Sequence, residues 1–268
     1  MIQLPHSVLP AATQTQLEEF QRAIDDIPLY ADKVSAAKER FERYNRRSNA
    51  TFKVIRSTLT SMLSGARRCG YCEDSYADEV EHVRPKDLYP ELTFIWENYI
   101  YACGPCNGPK NNRFAVFNIG GVLIDITRRR GDPIIPPPAG DFVLIDPRRE
   151  NALDFMELDL KDTFYFLPKG NPDSLVYERA KYSIDVLRLN ERDLLPAARA
   201  EAYASYRARV MEYTRRRDEG ALRGSLDRYI IALQRMGHPS VWHEMKRQGE
   251  IVPELHEIFE LAPEALAW

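Results

Sequence analysis

Four cysteines fall in two C-x-x-C pairs, Cys69-Gly-Tyr-Cys72 and Cys103-Gly-Pro-Cys106, with thirty residues between Cys72 and Cys103. Each pair sets two thiols about one tetrahedral edge apart. Two such knuckles complete an S₄ site, which suits zinc through soft thiolate ligands and tetrahedral geometry. A closed four-thiolate site keeps no open coordination position, so its expected role is structural. The competing reading, buried or redox-active cysteines, does not account for two complete knuckles with no cysteine left over. The gap exceeds the roughly 15–20 residues of a common zinc-ribbon spacing, so a folded insert must lie inside it.

That insert holds the groups that can do chemistry. Asp78-Glu-Val-Glu-His-Val-Arg-Pro-Lys86 puts a carboxylate directly before a histidine, with a proline three residues after it. Phe94-Ile-Trp-Glu-Asn98 follows, and the second knuckle runs on through Asn107-Gly-Pro-Lys110 to Asn111-Asn-Arg113. A histidine near its ordinary pKa of ~6.5 can take a proton from water at neutral pH. Carboxylate and amide oxygens are hard ligands suited to Mg²⁺ or Mn²⁺. Taken singly, each residue has a plainer explanation. A Glu-His pair is usually a surface strand, Asn98 a turn residue, Lys110 a solvated lysine, and Phe94 and Trp96 core.

Taken together and in this order, the stretch from about residue 67 to 115 resembles the four-cysteine branch of the HNH endonuclease family. Its wider pattern of Cys-x-Tyr-Cys-Glu, Glu-His-x-Arg-Pro-Lys and Trp-x-Asn is similar to retron-associated and Septu-type HNH proteins of bacterial phage defence. The resemblance implies a ββα-metal core. It implies that His82 is the general base activating water against a phosphodiester, and that Glu81 and Asn107 hold a catalytic Mg²⁺ or Mn²⁺. Asn98 would tie the loop between the strands and orient the base, while Lys110, Arg84, Lys86 and Arg113 would contact phosphate. Two positions depart from the usual pattern. Glu81 is one methylene longer than the common Asp, which leaves Asp78 and Glu79 as alternative carboxylates. Asn107 stands where many members carry His, which favours Mg²⁺ or Mn²⁺ over Zn²⁺ at that site. The implied activity is endonucleolytic cleavage of DNA, with RNA also open, in anti-phage defence beside an ABC-like ATPase partner. The competing function is a catalytically silent zinc module that binds nucleic acid or a partner.

Elements on both sides must position this core. Leu17, Phe20, Ile24 and Ile27, then Val34, Ala37 and Phe41 after Pro28, recur at helical spacing over residues 13–44, with Thr13 and Thr15 as possible N-caps. Phe52, Ile55, Leu59 and Leu63 predict a helix from about Ala50 to Ser64 that stops at Gly65. Val122 to Ile126, Phe142 to Asp146 and Phe155 to Leu167 read as short strands, with the Pro136-Pro-Pro run as a loop. Helical stripes return in Val176, Ala180, Ile184 and Leu187, in Leu194, Ala198, Ala202 and Tyr206, and in Leu226, Ile230 and Leu233. The expected class is α+β, with four segments: a helical region 1–66, the ββα-metal core 67–118, a strand-and-loop segment 119–170 and a helical region 171–268.

Composition narrows the possibilities. At 268 residues, 44% hydrophobic and 29% charged, the chain has the make-up of an ordinary soluble protein. A net charge of −3 excludes a protein that coats nucleic acid through bulk charge. Residues 38–68 nevertheless carry nine Lys/Arg against two Glu, a local balance of +7. This is either a solvated helix face or a phosphate-facing surface. No apolar run approaches the ~20 residues of a membrane span. The opening Met1-Ile-Gln-Leu-Pro-His lacks the basic and apolar regions of a signal peptide. A cytoplasmic location, where thiols stay reduced, is therefore expected.

Overall fold

A computed structural model describes residues 1–268. The N-terminal region is three helices: α1 (Ala11–Asp25), α2 (Tyr30–Tyr44) and α3 (Ala50–Ser61). The chain breaks at Pro28 as its periodicity predicts. α1, however, starts at Ala11 after Pro10, so Thr13 lies buried inside the first turn and neither Thr13 nor Thr15 caps the helix. α3 is capped by Asn49, whose Oδ1 accepts from the Phe52 N–H at 3.1 Å. It ends at Ser61, three residues before the expected Ser64, and Gly65 adopts a left-handed φ of 56° in the turn beyond.

The centre is a two-stranded antiparallel pair followed by a short helix. β1 (Glu79–His82) pairs with β2 (Tyr99–Ala102) in the register Val80↔Tyr101 and His82↔Tyr99. α4 (Gly104–Lys110) follows directly, with Cys103 as its N-cap. Side chains alternate across β1. His82 packs edge-on to Phe41 of α2 at 4.4 Å and to Tyr99 at 5.2 Å, on the face covered by α2 and α3. Glu79 and Glu81 face α4.

A three-stranded sheet of order β4-β3-β5 comes next, from β3 (Ala115–Phe117), β4 (Leu123–Asp125) and β5 (Asp141–Phe142). β5 is only two residues, so most of the apolar run Phe142–Asp146 is buried beyond the strand, where the Val143 N–H still reaches the Ala115 carbonyl at 3.1 Å. β6 (Met156–Leu158) and β7 (Phe166–Pro168) form a hairpin. Five helices close the fold: α5 (Leu175–Val186), α6 (Leu194–Asp218), α7 (Arg223–Gln234), α8 (Pro239–Arg247) and α9 (Pro253–Leu261). The buried stripe of α6 begins at Leu195, not Leu194, which is 79% exposed. The true stripe runs through Arg199, Ala202, Tyr206 and Val210. Arg199 was invisible to an apolar pattern. It is fully buried, with its guanidinium donating to the Phe164 and Leu189 carbonyls at 2.8 and 2.7 Å.

One hydrophobic cluster runs from Met1 to Ala265 and takes in the four cysteines, both central strands and residues from every terminal helix except α7's outer face. The helical flanks are thus packed against the ββα unit, not appended to it. No helix is long and apolar enough to cross a membrane.

Candidate active site

The four cysteine sulfurs are buried and lie within 4.8 Å of one another. Cys72 and Cys103 Sγ are 3.8 Å apart, the tetrahedral edge of about 3.8 Å that follows from Zn–S bonds of ~2.3 Å. Backbone N–H groups of Tyr71 and Cys103 point at Cys69 Sγ at 3.4 and 3.3 Å. Arg192, just before α6, donates to Cys106 Sγ at 3.2 Å. Four thiolates around one divalent ion carry a net charge of −2, and these donors lower the cost of burying it. The arrangement is that of a four-cysteine structural metal centre, and it joins the start of β1 to the start of α4.

Beyond this centre, β1 and α4 bring Glu81, His82 and Asn107 to one cleft of about 360 Å³ whose lining contains no hydrophobic residue. His82 is 2% exposed. Its Nε2 lies 2.8 Å from the Thr93 carbonyl oxygen. A carbonyl only accepts, so Nε2 carries the proton and Nδ1 of the neutral ring keeps its lone pair. Burial, and then the nearby Lys86 ammonium, hold the His82 pKa well below its ordinary value, so the ring is neutral.

The Thr93 carbonyl is itself held in place. It also accepts from Tyr99 Oη at 2.8 Å. Gln21 of α1 reaches across to accept from the Phe94 N–H at 2.8 Å and donate to Pro90 O at 3.2 Å. Asn98, 2% exposed, accepts from the Arg84 N–H at 2.8 Å and donates to the Arg84 and Leu92 carbonyls at 3.0 Å each. Every polar atom of the Asn98 amide is therefore engaged within the loop that connects β1 to β2.

On the other face of β1, α4 meets the carboxylates one turn apart. Asn107 Nδ2 donates to Glu79 Oε2 at 2.5 Å. Glu79's carboxylate only accepts, so the amide nitrogen must face it, which leaves Asn107 Oδ1 without a protein partner. Lys110 has no exposed surface; its ammonium donates to Glu81 Oε1 at 2.6 Å and to the His82 carbonyl at 2.8 Å. The second Glu81 oxygen has no protein partner. Two hard oxygens thus remain for a divalent cation beside His82.

The other sequence-derived candidates separate. Lys86 lines the same cleft, with its ammonium 4.9 Å above the Phe41 ring. Lys110 is turned inward, with no surface for a phosphate. Arg84 faces a different cleft, stacked 4.4 Å over Phe142 and 3.9 Å from Asp146 Oδ2. Arg113 is exposed on the chain leaving α4 and lines neither cleft. Of the alternative carboxylates, Asp78 opens onto a third cleft and Glu79 is paired with Asn107. Lys38 of α2, Pro85, Asp87, Asn111 and Asn112 complete the lining, and Arg128 pairs with Asp87 from outside it. Lys38 and Arg128 come from segments distant in sequence, whereas Pro85, Asp87, Asn111 and Asn112 adjoin the Glu81-His82 and Asn107 stretches. The positive balance around residue 38 points to Lys38, and the Asn111-Asn-Arg113 run to the two asparagines.

Comparison with known proteins agrees with this geometry. Residues 69–113 match the HNH endonuclease family model. A stretch of 48 residues is 46% identical to the Septu protein PtuB of Bacillus thuringiensis, covering 16% of this chain and 19% of that protein's length. The chain therefore carries, in residues 69–113, a domain of the HNH endonuclease family.

Proposed function

We propose that this protein is a metal-dependent HNH endonuclease that hydrolyses phosphodiester bonds of DNA. The observation that carries the reading is the His82 ring. It is fixed through Nε2 on the Thr93 carbonyl, with its Nδ1 lone pair left for a polar cleft shared with Glu81 and Asn107. Nδ1 takes a proton from a water in the cleft as the water oxygen bonds to phosphorus and the ester oxygen leaves. Thr93, held by Tyr99 and flanked by the Gln21 bonds to Pro90 and Phe94, fixes the ring and its tautomer. Lys86 is the cation in the cleft placed to meet a phosphate oxygen.

The donor set fits two different metals. The thiolate tetrahedron suits Zn²⁺ in a structural role. The free oxygens of Glu81 and Asn107 would hold Mg²⁺ or Mn²⁺, which when bound stabilises charge building on the phosphate and leaving group. Lys110 anchors the longer Glu81 side chain through Oε1, which supports a glutamate serving where an aspartate is usual. Plasmid DNA with added Mg²⁺ or Mn²⁺ should be cut. His82→Ala should lose cleavage while keeping its circular dichroism spectrum and zinc content. A His82→Ala protein that cuts as well as wild type rules out His82 as the base. Binding without cleavage under every divalent metal supports the silent module instead.

The likeness to a Septu protein over the HNH segment, with the resemblance to phage-defence nucleases, supports a role as a defence effector beside an ABC-like ATPase. Co-expression with an ABC-type ATPase encoded next to it, followed by phage plating with and without the His82→Ala change, tests this. Protection that survives the change counts against cleavage as the effector activity.

A further inference from the structure

The basic run at residues 38–68 divides in the fold. Lys38 is paired with Asp87, Arg43 with Glu39, and Arg56 caps the α2 terminus by donating to Asn45 O at 2.9 Å. Arg47, Lys53 and Arg67 have no carboxylate partner and no side-chain hydrogen bond. These three converge on one cleft of about 320 Å³ with Tyr76 and Tyr101. Arg67 is sandwiched by the rings, its guanidinium 3.8 Å from the Tyr76 centroid and 5.5 Å from that of Tyr101. Its Nε is buried without a partner. Tyr76 is 57% exposed, so much of its ring stays open to solvent. The one carboxylate there, Asp78, is exposed and in no ion pair.

This cleft sits on the same strand pair as His82. Tyr101 pairs with Val80, and Tyr99 with His82, so the tyrosine cleft and the His82 ring lie at opposite ends of one strand pair, on the face whose middle α2 and α3 cover. Asp78 to His82 is four residues, roughly 13 Å at a strand rise of ~3.3 Å per residue. That is about four nucleotides at the duplex rise of ~3.4 Å per strand, and fewer in an extended single strand.

We propose that Arg47, Lys53 and Arg67 hold a phosphate of the cleaved strand a few nucleotides from His82. An unpaired base stacks on the open surface of Tyr76. The substrate is then single-stranded or locally opened nucleic acid, because bases inside an intact duplex cannot reach a ring on a protein surface. This rests on the nuclease reading for what the chain binds, but its test reads binding alone.

The experiment measures anisotropy of a labelled single-stranded 20-mer and of its blunt duplex, on zinc-loaded full-length protein carrying His82→Ala, across a salt series. Neutralising Arg47→Gln with Lys53→Gln should weaken binding on the order of 10-fold at 0.1 M salt. It should also reduce the single-strand salt slope by about 0.7, the value for one phosphate contact. Tyr76→Ala should weaken single-strand binding on the order of 10-fold and leave the duplex nearly unchanged. Asp78→Asn should tighten both. The same charge change on α7, Arg223→Gln with Arg228→Gln, should leave affinity unchanged. Arg47, Lys53, Tyr76, Asp78, Arg223 and Arg228 are all exposed, so these substitutions leave the core of the shared His82→Ala background untouched. Unchanged affinity in the Arg47/Lys53 pair overturns the phosphate site, and equal Tyr76→Ala losses on both substrates overturn the unpaired base. In either case a wild-type protein that cuts DNA keeps the nuclease reading intact. A chain that binds neither substrate, with a wild type that cuts nothing, overturns both.

Discussion

Lys110 and Glu81 form an ion pair at 2.6 Å in which the lysine has no exposed surface and the carboxylate side chain is 10% exposed. The same ammonium holds the His82 backbone carbonyl. One side chain of α4 therefore fixes both a candidate metal ligand and the strand that presents the base. Removing one partner from a buried pair leaves the other charge uncompensated, at a cost of about 3–5 kcal/mol. Lys110→Met should fall near the lower end, since one Glu81 oxygen reaches the cleft. Adding Glu81→Gln should recover part of the loss, with a coupling of about 1–3 kcal/mol in urea denaturation of zinc-loaded protein. Strictly additive effects would mean that Lys110 does not act through Glu81.

The three carboxylates of residues 78–81 should separate by activity. Glu81→Gln removes a charged oxygen from the His82 cleft and should slow cleavage by at least about 100-fold, because several kcal/mol of charge stabilisation depends on the metal. Glu79→Gln leaves the cleft lining intact but frees the Asn107 amide to rotate, with an expected loss of about 10-fold. Asp78→Asn should not slow cleavage at saturating substrate. Rates at saturating Mn²⁺ decide the order, and a Glu79 effect larger than that of Glu81 would move the ligand assignment to Glu79.

The loop that seats His82 depends on two amides. Asn98→Asp keeps the size but turns an acceptor toward the Arg84 and Leu92 carbonyls, so it should destabilise more than Asn98→Ala. Gln21→Leu strands the Phe94 N–H in the core, which costs about 1–3 kcal/mol. It should also lower the single-turnover rate, although α1 is far from the cleft in sequence. Thermal unfolding and cleavage on the same samples test the link. A Gln21→Leu protein with lowered stability but an unchanged rate would show that the loop does not depend on α1 for its catalytic geometry.

The contrast between Gln21 and Cys69 explains what could be read from the sequence. The cysteine frame and the α+β class are local: two knuckles, a gap of fixed length and periodicities of two or three to four residues. The roles expected of Glu81, His82 and Asn107 come from the family resemblance that the same short stretch carries. Gln21 sits among the apolar residues of a helix and looks like any polar neighbour until its face turns toward Phe94. Lys110 reads as a surface lysine because a helix period says which residues share a face, not whether another strand covers it. The apolar pattern places Leu194 in the stripe of α6, one residue off the buried Leu195, because the buried Arg199 breaks that pattern. Lys38 and Arg192 meet the site only through tertiary packing.

Arg192 provides the sharpest test of how the distant helices serve the centre. Its guanidinium donates to Cys106 Sγ at 3.2 Å from a residue 86 positions away. Removing a donor of this kind typically costs about 10–100-fold in metal affinity. Arg192→Met should release zinc to a chromogenic chelator at least about 10-fold faster than wild type, with an unchanged secondary structure while the metal is bound. Once zinc leaves, four buried thiols no longer draw Cys72 and Cys103 together, and α4 loses its anchor on β1. Asn107 and Lys110 then leave Glu79 and Glu81, so cleavage should fall in step with zinc loss and should not return on adding Mg²⁺ alone. Full activity in protein stripped of zinc would separate the cysteine centre from the active-site geometry. Arg192→Met with wild-type release kinetics would limit that arginine to packing.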